Sequence, residues 1–365
     1  MKILVIGNFS FSECGGAKTV ANYLIDGYKK AGHQVATISF PKTNGIFAKI
    51  FSQFLDVFNP KAIIYLKKVL KKESPDIVHL HNIHKDMSAY AVKAIADMNV
   101  PVVITLHESW ALCSNFNLVN GIDGKIKCAD RKSRFEIPFL LRNFFIRKFL
   151  SSADRIFVPS EFSKKTLVKI GGYDEDKVFA IHNGVDTRIF FSQTKKKDKN
   201  KINIIFAGRP TAKKGINWLK EAVFLAKKES SLEINLQIIG GKEAVSYENL
   251  PKYYADADIL IQPSLVHETF GLTVAEAMSS GIPVIISNIG AMPEVAGEAG
   301  IVVEAGDKEG LKKAILELSG DIAKRNKLGS SGRERAEKFF DKEIMCQKYL
   351  NYIEKLLKRD KMTTS

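Results

Sequence analysis

Residues 263–287, PSLVHETFGLTVAEAMSSGIPVIIS, carry the strongest structural signal in the chain. They continue from the apolar run DILIQPS (258–264) and end on another, IPVIIS (282–287). Between the two runs, a helix is predicted to begin near Leu272, directly after Gly271. Short β-branched runs separated by a helix are typical of a parallel strand–helix–strand unit. This stretch therefore predicts an α/β architecture.

The same alternation extends along the whole chain. The first half has predicted strands at 2–7, 34–40, 76–81, 101–107, 155–160 and 178–184. The second half has predicted strands at 202–208, 234–240, 258–264, 282–287 and 300–306. A helix is predicted over 17–31, and Gly32 ends it. The pattern predicts two doubly wound, Rossmann-like parallel sheets.

The halves are separated by SQTKKKDKNK (192–201), which is polar, rich in lysine and without apolar periodicity. We therefore expect domains at 1–185 and 186–365, with a linker over about 186–201. The last helix, over about 341–358, is expected to return to the first domain. Ligands of open α/β sheets bind beyond the carboxyl ends of the strands, so the cleft between the domains is the expected site.

Composition and charge narrow the class of protein. The chain has 365 residues, 45% hydrophobic and 26% charged, which excludes a disordered chain, collagen and a disulfide-rich miniprotein. The formal charge is +15, and residues 1–185 hold 26 basic and 16 acidic residues against 29 and 24 in residues 186–365. Such a surplus favours nucleic acid, an anionic membrane surface or phosphorylated substrates as partners.

The cysteines and the apolar runs suggest a cytoplasmic protein. Cys14, Cys113, Cys128 and Cys346 lie far apart without a CxxC pair, so free thiols in a reducing compartment are expected. The apolar run 3–6 is too short for a secretory signal. No window approaches the ~18 apolar residues of a membrane span.

Two glycines, Gly15 and Gly16, lie in the turn between the first strand and the first helix. Glycines there let the backbone approach a ligand, and a helix N-terminus offers N–H groups to an anion. A plain tight turn explains them equally well. The turn is not GxGxxG and no acidic residue ends the second strand, which disfavours a nicotinamide oxidoreductase.

Basic residues follow the strand INIIFAG (202–208) in the second half. Arg209 and Lys214 could clamp a diphosphate, the arginine through bidentate hydrogen bonds and the lysine as a point charge. A solvated basic loop is the alternative interpretation.

Glu268 precedes the predicted helix and Glu276 lies about one turn inside it. One carboxylate could bind sugar hydroxyls and the other a ribose, while the N–H groups of residues 271–273 point at a phosphate. Two glutamates at this spacing alone would be surface residues, but the whole 25-residue stretch is more specific.

Residues 263–287 resemble the Glu-x7-Glu signature of the retaining glycosyltransferases of family 4, which have the GT-B fold. The likeness covers nearly the whole chain through GGAKTVANYL, DIVHLH, VVITLHE, VPSEFSKKTL, IHNGVD, AGRPTAKKG and SNIGAMPEVAGEAGIVVEAGD. It implies two Rossmann-like domains facing across a cleft, an N-terminal acceptor domain and a C-terminal nucleotide-sugar domain. It also implies a metal-independent, retaining hexosyltransferase of surface polysaccharide or glycolipid synthesis.

The resemblance assigns roles position by position. The catalytic set is His107, Arg209, Lys214 and Glu268. The donor-binding set is Gly15, Gly16, Arg209, Lys214, Glu268, Phe270, Gly271, Leu272, Thr273 and Glu276. Arg209 and Lys214 would neutralise the leaving diphosphate, Glu268 would hold the donor sugar and Glu276 the ribose. No protein nucleophile and no cofactor are assigned.

Two departures from the family pattern affect the donor. Lys18 stands where the family most often has Glu, and the segment from 234 to 264 is short because a strand–helix unit that commonly frames the base is missing. UDP-sugar is favoured over GDP-sugar as the donor. Asp256-Ala257-Asp258 resembles a DxD metal motif but aligns with a helix-to-strand junction of the family, so no metal site is expected.

The basic surplus of the first half suggests where an acceptor binds. In 61–72, lysines are predicted on one helical face and apolar residues on the other, with Ile64 as the exception. Such a helix can lie on an anionic membrane, for instance the inner face of the plasma membrane, or simply pack on its own sheet. The Phe-rich stretch 135–150 suggests packing or an acceptor groove.

Two other functions remain open: a nucleotide-sugar 2-epimerase on the same fold, and a non-catalytic sugar- or membrane-binding subunit. The expected partners are a nucleotide sugar and a glycan or lipid-linked acceptor, and nucleic acid is not expected.

Overall fold

The computed structural model describes residues 1–7, 15–40, 52–84, 86–113, 118–120, 126–128, 136–191, 198, 200–241 and 245–363. The chain divides into two compact units. The first unit comprises residues 1–181 and 345–365, and the second comprises residues 182–344.

A six-stranded parallel sheet forms the centre of the first unit. Its strands, in spatial order, are β2 (Gln34–Ser39), β1 (Lys2–Gly7), β3 (Ile77–His81), β4 (Val102–Thr105), β7 (Arg155–Val158) and β8 (Val178–Ala180). Each of these runs lies within a strand predicted from the sequence. The order 2-1-3-4 brings the carboxyl ends of β1, β3 and β4 together at one edge.

Helices cover both faces of this sheet. They are α1 (Gly16–Lys30), α2 (Ser52–Val57), α3 (Pro60–Glu73), α4 (Tyr90–Ala96), α5 (Glu136–Leu150), α6 (Glu161–Gly171) and the second part of α13 (Lys342–Thr363). Helices α3, α4 and α5 pack on one face, whereas α1 and α13 pack on the other. The return of the last helix to the first unit agrees with the sequence expectation.

Helix α3 shows how the sequence specifies a local element. The Asn59 side chain accepts a hydrogen bond from Ala62 N at 3.3 Å, and Pro60 occupies the first turn, where its missing N–H costs nothing. Its buried residues are Ala62, Ile63, Leu66, Val69 and Leu70, the face predicted from the sequence. Ile64 is 60% exposed.

The second unit repeats the architecture with five parallel strands. In spatial order they are β10 (Glu233–Ile239), β9 (Lys201–Ala207), β11 (Ile259–Gln262), β12 (Val284–Ser287) and β13 (Gly300–Val303). Its helices are α7 (Ile216–Glu229), α8 (Leu250–Asp256), α9 (Leu272–Ser279), α10 (Met292–Ala296), α11 (Lys308–Gly320), α12 (Ile322–Phe339) and the start of α13. One face packs α7 and α11, and the other packs α8, α9, α10 and α12.

A two-stranded antiparallel hairpin in the first unit was missed from the sequence. It pairs β5 (Leu118–Asn120) with β6 (Ile126–Cys128), whose short runs resemble loop sequence. Cys113 and Cys128 form a disulfide with their Cα atoms 5.6 Å apart, so the expectation of free thiols was wrong for these two. Spacing along the chain could not show this, because the hairpin brings the two residues together. Cys346 is buried and is not part of a disulfide, and its thiol donates to Tyr23 O at 3.2 Å.

Within the described part of the chain, no helix is both long enough and apolar enough to cross a bilayer.

Candidate functional site

The loops after β9 and β11 lie against each other at the carboxyl edge of the second sheet. Leu265 N donates to Lys213 O at 2.8 Å, which joins the two loops through the backbone. Gly215 has φ +74°, and a Cβ there would lie 1.8 Å from Pro263 O. Only glycine permits this close approach, which brings the AKKG turn next to the PSLVHE loop.

The contact between these two loops brings two of the predicted site residues together. Lys214 Nζ and Glu268 Oε1 form an ion pair, with side chains 27% and 16% exposed. Ser264, which the sequence analysis did not name, donates its hydroxyl to the same Glu268 oxygen at 3.0 Å. A partly buried ion pair with a hydroxyl donor gives a carboxylate and an ammonium in fixed positions at the strand ends.

A third loop supports Glu268 from the other side. Ala291 N donates to Glu268 O at 2.9 Å. Gly290 has φ +65°, and a Cβ at this position would lie 2.5 Å from Glu268 N and 2.6 Å from its carbonyl oxygen. The glycine therefore lets the loop after β12 pack directly on the Glu268 backbone.

Helix α9 begins as predicted, after Gly271 in the left-handed conformation at φ 99°. The first N–H groups of a helix, here those of Leu272 and Thr273, have no carbonyl partner within it and can bind an anion. Phe270, predicted in the donor-binding set, is 2% exposed and its side chain lies in the hydrophobic core. Its contribution to a ligand site would come from its backbone.

Glu276 lies one turn into α9 and is 3% exposed. Tyr254 donates its hydroxyl to Glu276 Oε2 at 2.8 Å, and Tyr247 provides a further side-chain hydrogen bond. Burial raises the pKa of Glu276 to about 8, and the two tyrosine hydrogen bonds oppose that shift. The carboxyl group is thus held in one position and is protonated at neutral pH before any ligand binds.

Arg209 lies at the start of the same loop as Lys214 and is exposed. The second unit therefore gathers Lys214 and Glu268 in direct contact, with α9 following in the chain. Sequence reasoning missed Ser264, Tyr254 and Gly290. Their positions in the loops and in the helix before β11 were visible, but their contacts with the glutamates depend on the fold.

The other predicted site residues belong to the first unit. Gly15 lies at the N-cap of α1 and Gly16 is its first residue. Residues 8–14, between β1 and this helix, lie outside the described residues. His107 follows β4 and is 5% exposed, and its Nε2 lies 2.9 Å from Nδ1 of His81 at the end of β3.

A buried polar chain occupies the same face of this sheet. Tyr28 Oη lies 2.9 Å from His79 Nδ1, His79 Nε2 lies 2.8 Å from Thr105 Oγ1, and Thr105 donates to Tyr349 Oη at 3.2 Å. Burial lowers the pKa of His79 and of His107 to about 3 and holds the pKa of His81 well below its usual value. These imidazoles are neutral at physiological pH.

The opposite edge of the second sheet holds the DxD-like stretch. Asp258 accepts a hydrogen bond from Asn203 N at 2.8 Å, and the Asp256 carbonyl accepts from the Asn203 side chain at 3.2 Å. A cavity of about 550 Å³ opens at this edge and is lined by Asp258 and Arg325, among others. These aspartates therefore connect a helix to a strand, away from Glu268.

Comparison with known proteins identifies the family. Residues 14–189 match Glycosyltransferase Family 4, and residues 201–321 match Glycosyl transferases group 1. The chain belongs to this glycosyltransferase family. Its fold is the two-domain GT-B fold of the family.

One protein sequence and two solved structures illustrate what the chain is similar to. An uncharacterized 41.2 kDa protein in the cps region of Klebsiella pneumoniae is 25% identical over 92% of this chain and 95% of its own. Among solved structures, sucrose-phosphate synthase from Thermosynechococcus elongatus has a TM-score of 0.79 at 19% identity and covers 98% of this chain and 99% of its own. HepE from Anabaena, solved in complex with UDP, has a TM-score of 0.68 at 15% identity, covering 97% and 100%. At sequence identities this low, the similarity to the two solved structures shows the fold alone.

Proposed function

We propose that this family member is a retaining, metal-independent hexosyltransferase that moves a sugar from a nucleoside-diphosphate sugar to a lipid-linked or polysaccharide acceptor. The observation that carries the proposal is the contact of Lys214 and Ser264 with Glu268 at the carboxyl edge of the second sheet. Oppositely charged groups held at that edge suit a ligand that has both a diphosphate and sugar hydroxyls.

In the proposed mechanism, Lys214 and Arg209 stabilise the charge that develops on the leaving diphosphate. Glu268 accepts hydrogen bonds from donor sugar hydroxyls, and Glu276 accepts them from the ribose. The N–H groups at the start of α9 bind phosphate oxygens, and Gly15 and Gly16 let the backbone approach the same donor. His107 hydrogen-bonds the donor sugar and orients it.

The acceptor oxygen attacks the anomeric carbon from the face that the diphosphate leaves. The bond from that carbon to the diphosphate oxygen breaks as the new glycosidic bond forms. The acceptor proton passes to an oxygen of the leaving diphosphate, so that no protein nucleophile is needed. Retention of configuration follows from attack on that same face.

UDP is the proposed nucleotide. HepE, which shares the fold, was solved with UDP. In this chain the half-buried Tyr247, which comes soon after β10, hydrogen-bonds Glu276. This places an aromatic side chain beside the proposed ribose-binding carboxylate.

An anionic bilayer that carries the acceptor is the proposed partner of the first unit. Helices α3 and α5 pack on the same face of the sheet. The outward face of α3 bears Lys61, Lys67, Lys68, Lys71 and Lys72 beside the exposed Ile64 and Tyr65. Lysines attract anionic lipid headgroups, and exposed apolar side chains can enter the interface.

Helix α5 presents the apolar part of this proposed surface. Leu140, Leu141, Phe144 and Phe145 are 56%, 53%, 49% and 39% exposed. Arg142 instead turns inward and pairs with the buried Asp56 at 2.6 Å, which removes its charge from the exposed face. Four exposed large apolar side chains on one helix are typical of an interaction surface.

The transferase proposal is tested by a thermal-shift screen of nucleotide sugars, followed by mass spectrometry of products with candidate acceptors. A retained glycoside product is expected. Donor consumption without a glycoside would instead identify a 2-epimerase, and donor binding without turnover would identify a non-catalytic subunit. Either result would overturn the proposal.

The membrane proposal is tested by co-sedimentation with vesicles of phosphatidylglycerol and phosphatidylcholine at low salt. The variant that changes Lys67, Lys68, Lys71 and Lys72 to Gln should bind about 1,000-fold more weakly, because four lysines at ~1 kcal/mol each contribute about 4 kcal/mol. The matched control changes the exposed Lys220, Lys227, Lys313 and Lys327 of the second unit to Gln and should bind as the unmodified protein does. Equal losses in both variants, or no binding at low salt, would contradict the proposed surface.

A further inference from the structure

A cavity of about 540 Å³ opens in the first unit between α5, the hairpin of β5 and β6, and the end of α6. This volume is typical of a small-molecule site, for which ~300–1,000 Å³ is usual. One face of α5 forms a wall of the cavity, because positions four apart along a helix lie on the same side. The residues of that wall are Phe139, Leu140, Asn143, Phe144 and Arg147. None of the described lining residues belongs to the set proposed for sugar transfer.

Covalent and hydrogen bonds hold the other walls in place. The disulfide of Cys113 and Cys128 joins the hairpin to the turn after β4. The Asn143 side chain of α5 donates to Leu112 O at 3.1 Å, which joins this helix to the same turn. At the end of α6, a Cβ on Gly171 would lie 2.7 Å from Leu112 Cδ2, so a glycine is needed for this close approach. The walls are therefore fixed before any ligand binds.

The cavity opens onto the apolar surface of the first unit. Leu140, Phe144 and Ile170 line the cavity and are also 56%, 49% and 51% exposed. Large apolar side chains exposed together are typical of an interaction surface. These three side chains make a continuous apolar path from the surface into the cavity, which suits the hydrocarbon chain of a lipid.

Two cations accompany the apolar walls. Lys127 of the hairpin and Arg147 of α5 line the cavity and are exposed, whereas no carboxylate is found among its described lining residues. A Cβ on Gly172 would lie 2.6 Å from Arg147 Nη1, which places the guanidinium beside the end of α6. A guanidinium binds phosphate oxygens through paired hydrogen bonds, and a lysine attracts them as a point charge. The charges therefore favour an anionic headgroup next to an apolar chain.

We propose that this cavity binds one anionic phospholipid of the membrane, with an acyl chain between α5 and the hairpin and its phosphate at Arg147 and Lys127. This inference rests on the proposed function, in which the first unit faces an anionic bilayer. The lysines of α3 attract many headgroups at once, whereas the cavity takes a single lipid. A lipid-linked acceptor fits the cavity less well, because it must bring its reacting hydroxyl to the donor and no residue proposed to contact the donor lines this cavity.

The first test titrates the unmodified protein with soluble lipids, each below its critical micelle concentration, by isothermal titration calorimetry. Dioctanoylphosphatidylglycerol should bind with a stoichiometry of about one, and dioctanoylphosphatidylcholine at least about tenfold more weakly, because the cations attract net negative charge. Glycerol 3-phosphate has no acyl chain and should bind at least about tenfold more weakly as well. Equal affinities for the two phospholipids, or no binding of the phosphatidylglycerol, would overturn the proposal. Tighter binding of geranyl phosphate would show an isoprenoid acceptor lipid in its place.

The second test uses neighbouring residues of α5 as matched pairs. Phe144→Gln removes an apolar wall of the cavity and should weaken dioctanoylphosphatidylglycerol binding by about tenfold. The control Phe145→Gln changes an exposed phenylalanine that does not line the cavity and should stay within about twofold. Arg147→Gln should weaken binding by about fivefold and reduce the preference over phosphatidylcholine, while Lys148→Gln should do neither. Equal losses within either pair would contradict the site.

All four substitutions replace exposed side chains, so an unchanged Tm is expected for each variant. The titrations need neither a bilayer nor a donor sugar, so they decide the lipid site even if the protein transfers no sugar. Absence of vesicle binding or of turnover in the unmodified protein would instead count against the proposed function.

Discussion

The carboxyl edges of the two parallel sheets differ in how they hold polar groups. In the second unit the edge carries an ion pair, Lys214 with Glu268, that remains partly exposed. In the first unit the edge carries the neutral imidazoles of His81 and His107, which are buried. Two sheets of similar architecture thus carry different pairs: an ion pair, which defines the charged edge, and a pair of neutral rings, which defines the uncharged edge.

This difference follows from burial. Imidazoles in a closed, apolar face lose their charge, because desolvation disfavours the protonated form. Lys214 and Glu268 stay partly accessible to water, and each balances the charge of the other. A charged edge can exchange its internal partner for a diphosphate, whereas an uncharged edge can only hydrogen-bond and orient.

The most severe test of the charged edge is Lys214→Ala. Loss of the ammonium leaves Glu268 without its cation and removes the charge proposed to face the leaving diphosphate. We expect kcat to fall by about 100- to 1,000-fold, measured as sugar transfer from the donor. The neighbouring Lys213→Ala is the matched control and should change kcat less than about threefold. Similar losses in both variants would remove the distinction between this lysine and its surroundings.

The position of Glu268 at the charged edge can be disturbed without removing a charged side chain. In Gly290→Ala, the new Cβ would lie 2.5 Å from Glu268 N at a φ that disfavours alanine. The loop must move and Glu268 with it, so we expect turnover to fall by about 100-fold. Gly320→Ala is the control, because a Cβ there meets no atom within 4 Å. A Gly290→Ala enzyme with normal turnover would show that the loop does not set the position of Glu268.

The buried Glu276 makes the free energy of unfolding depend on pH. Its pKa is raised from 4.5 in the unfolded chain to about 8 in the fold, so the folded state binds more protons between these values and stability falls as pH rises through them. Glu276→Gln removes this cost and should raise the free energy of unfolding by about 1–3 kcal/mol at pH 7, while sugar transfer is lost. Denaturant unfolding of both proteins at pH 5 and pH 7 measures this gain in the free energy of unfolding. A gain that is equal at both pH values would show that titration of the buried carboxyl group is not its cause.

The uncharged edge should respond to acid in the opposite direction. The pKa values of His79 and His107 are lowered to about 3 from 6.5, so the unfolded chain binds more protons between pH 6.5 and 3. The contribution of these histidines to the free energy of unfolding is therefore fully present above pH 6.5. It decreases on acidification, by about 2 kcal/mol per histidine at pH 5. Hydrogen exchange of peptides from β3 and β4, corrected for intrinsic rates, should show falling protection. Constant protection down to pH 4 would show that these rings are not held neutral.

The sequence was sufficient for the parallel strands and for much of the candidate site. Strands buried on both faces appear as continuous β-branched runs, and Gly271 before the LTVAEAM run marked the start of α9. The hairpin of β5 and β6 has three-residue strands with no such pattern, and it was missed together with the disulfide.

The contacts between loops could not be predicted from the sequence either. Ser264 and Gly290 lie in segments whose resemblance to the family was recognised, yet nothing in their spacing shows that one donates to Glu268 and the other packs on its backbone. His79 and His81 alternate along β3, but nothing in the sequence shows that the first bonds Tyr28 of α1 and Thr105 of β4 and that the second bonds His107.

By itself the sequence determined the fold class, the lysine face of α3 and the residue types at the strand ends, because periodicity and local turn chemistry act over neighbouring residues. Only the tertiary structure decided which of those residues touch. It paired Lys214 with Glu268, enclosed Glu276 between tyrosines and removed the charge from three histidines. Hydrogen bonds and pKa values depend on distance and burial in space, and parallel strands bring together residues that are far apart in the chain.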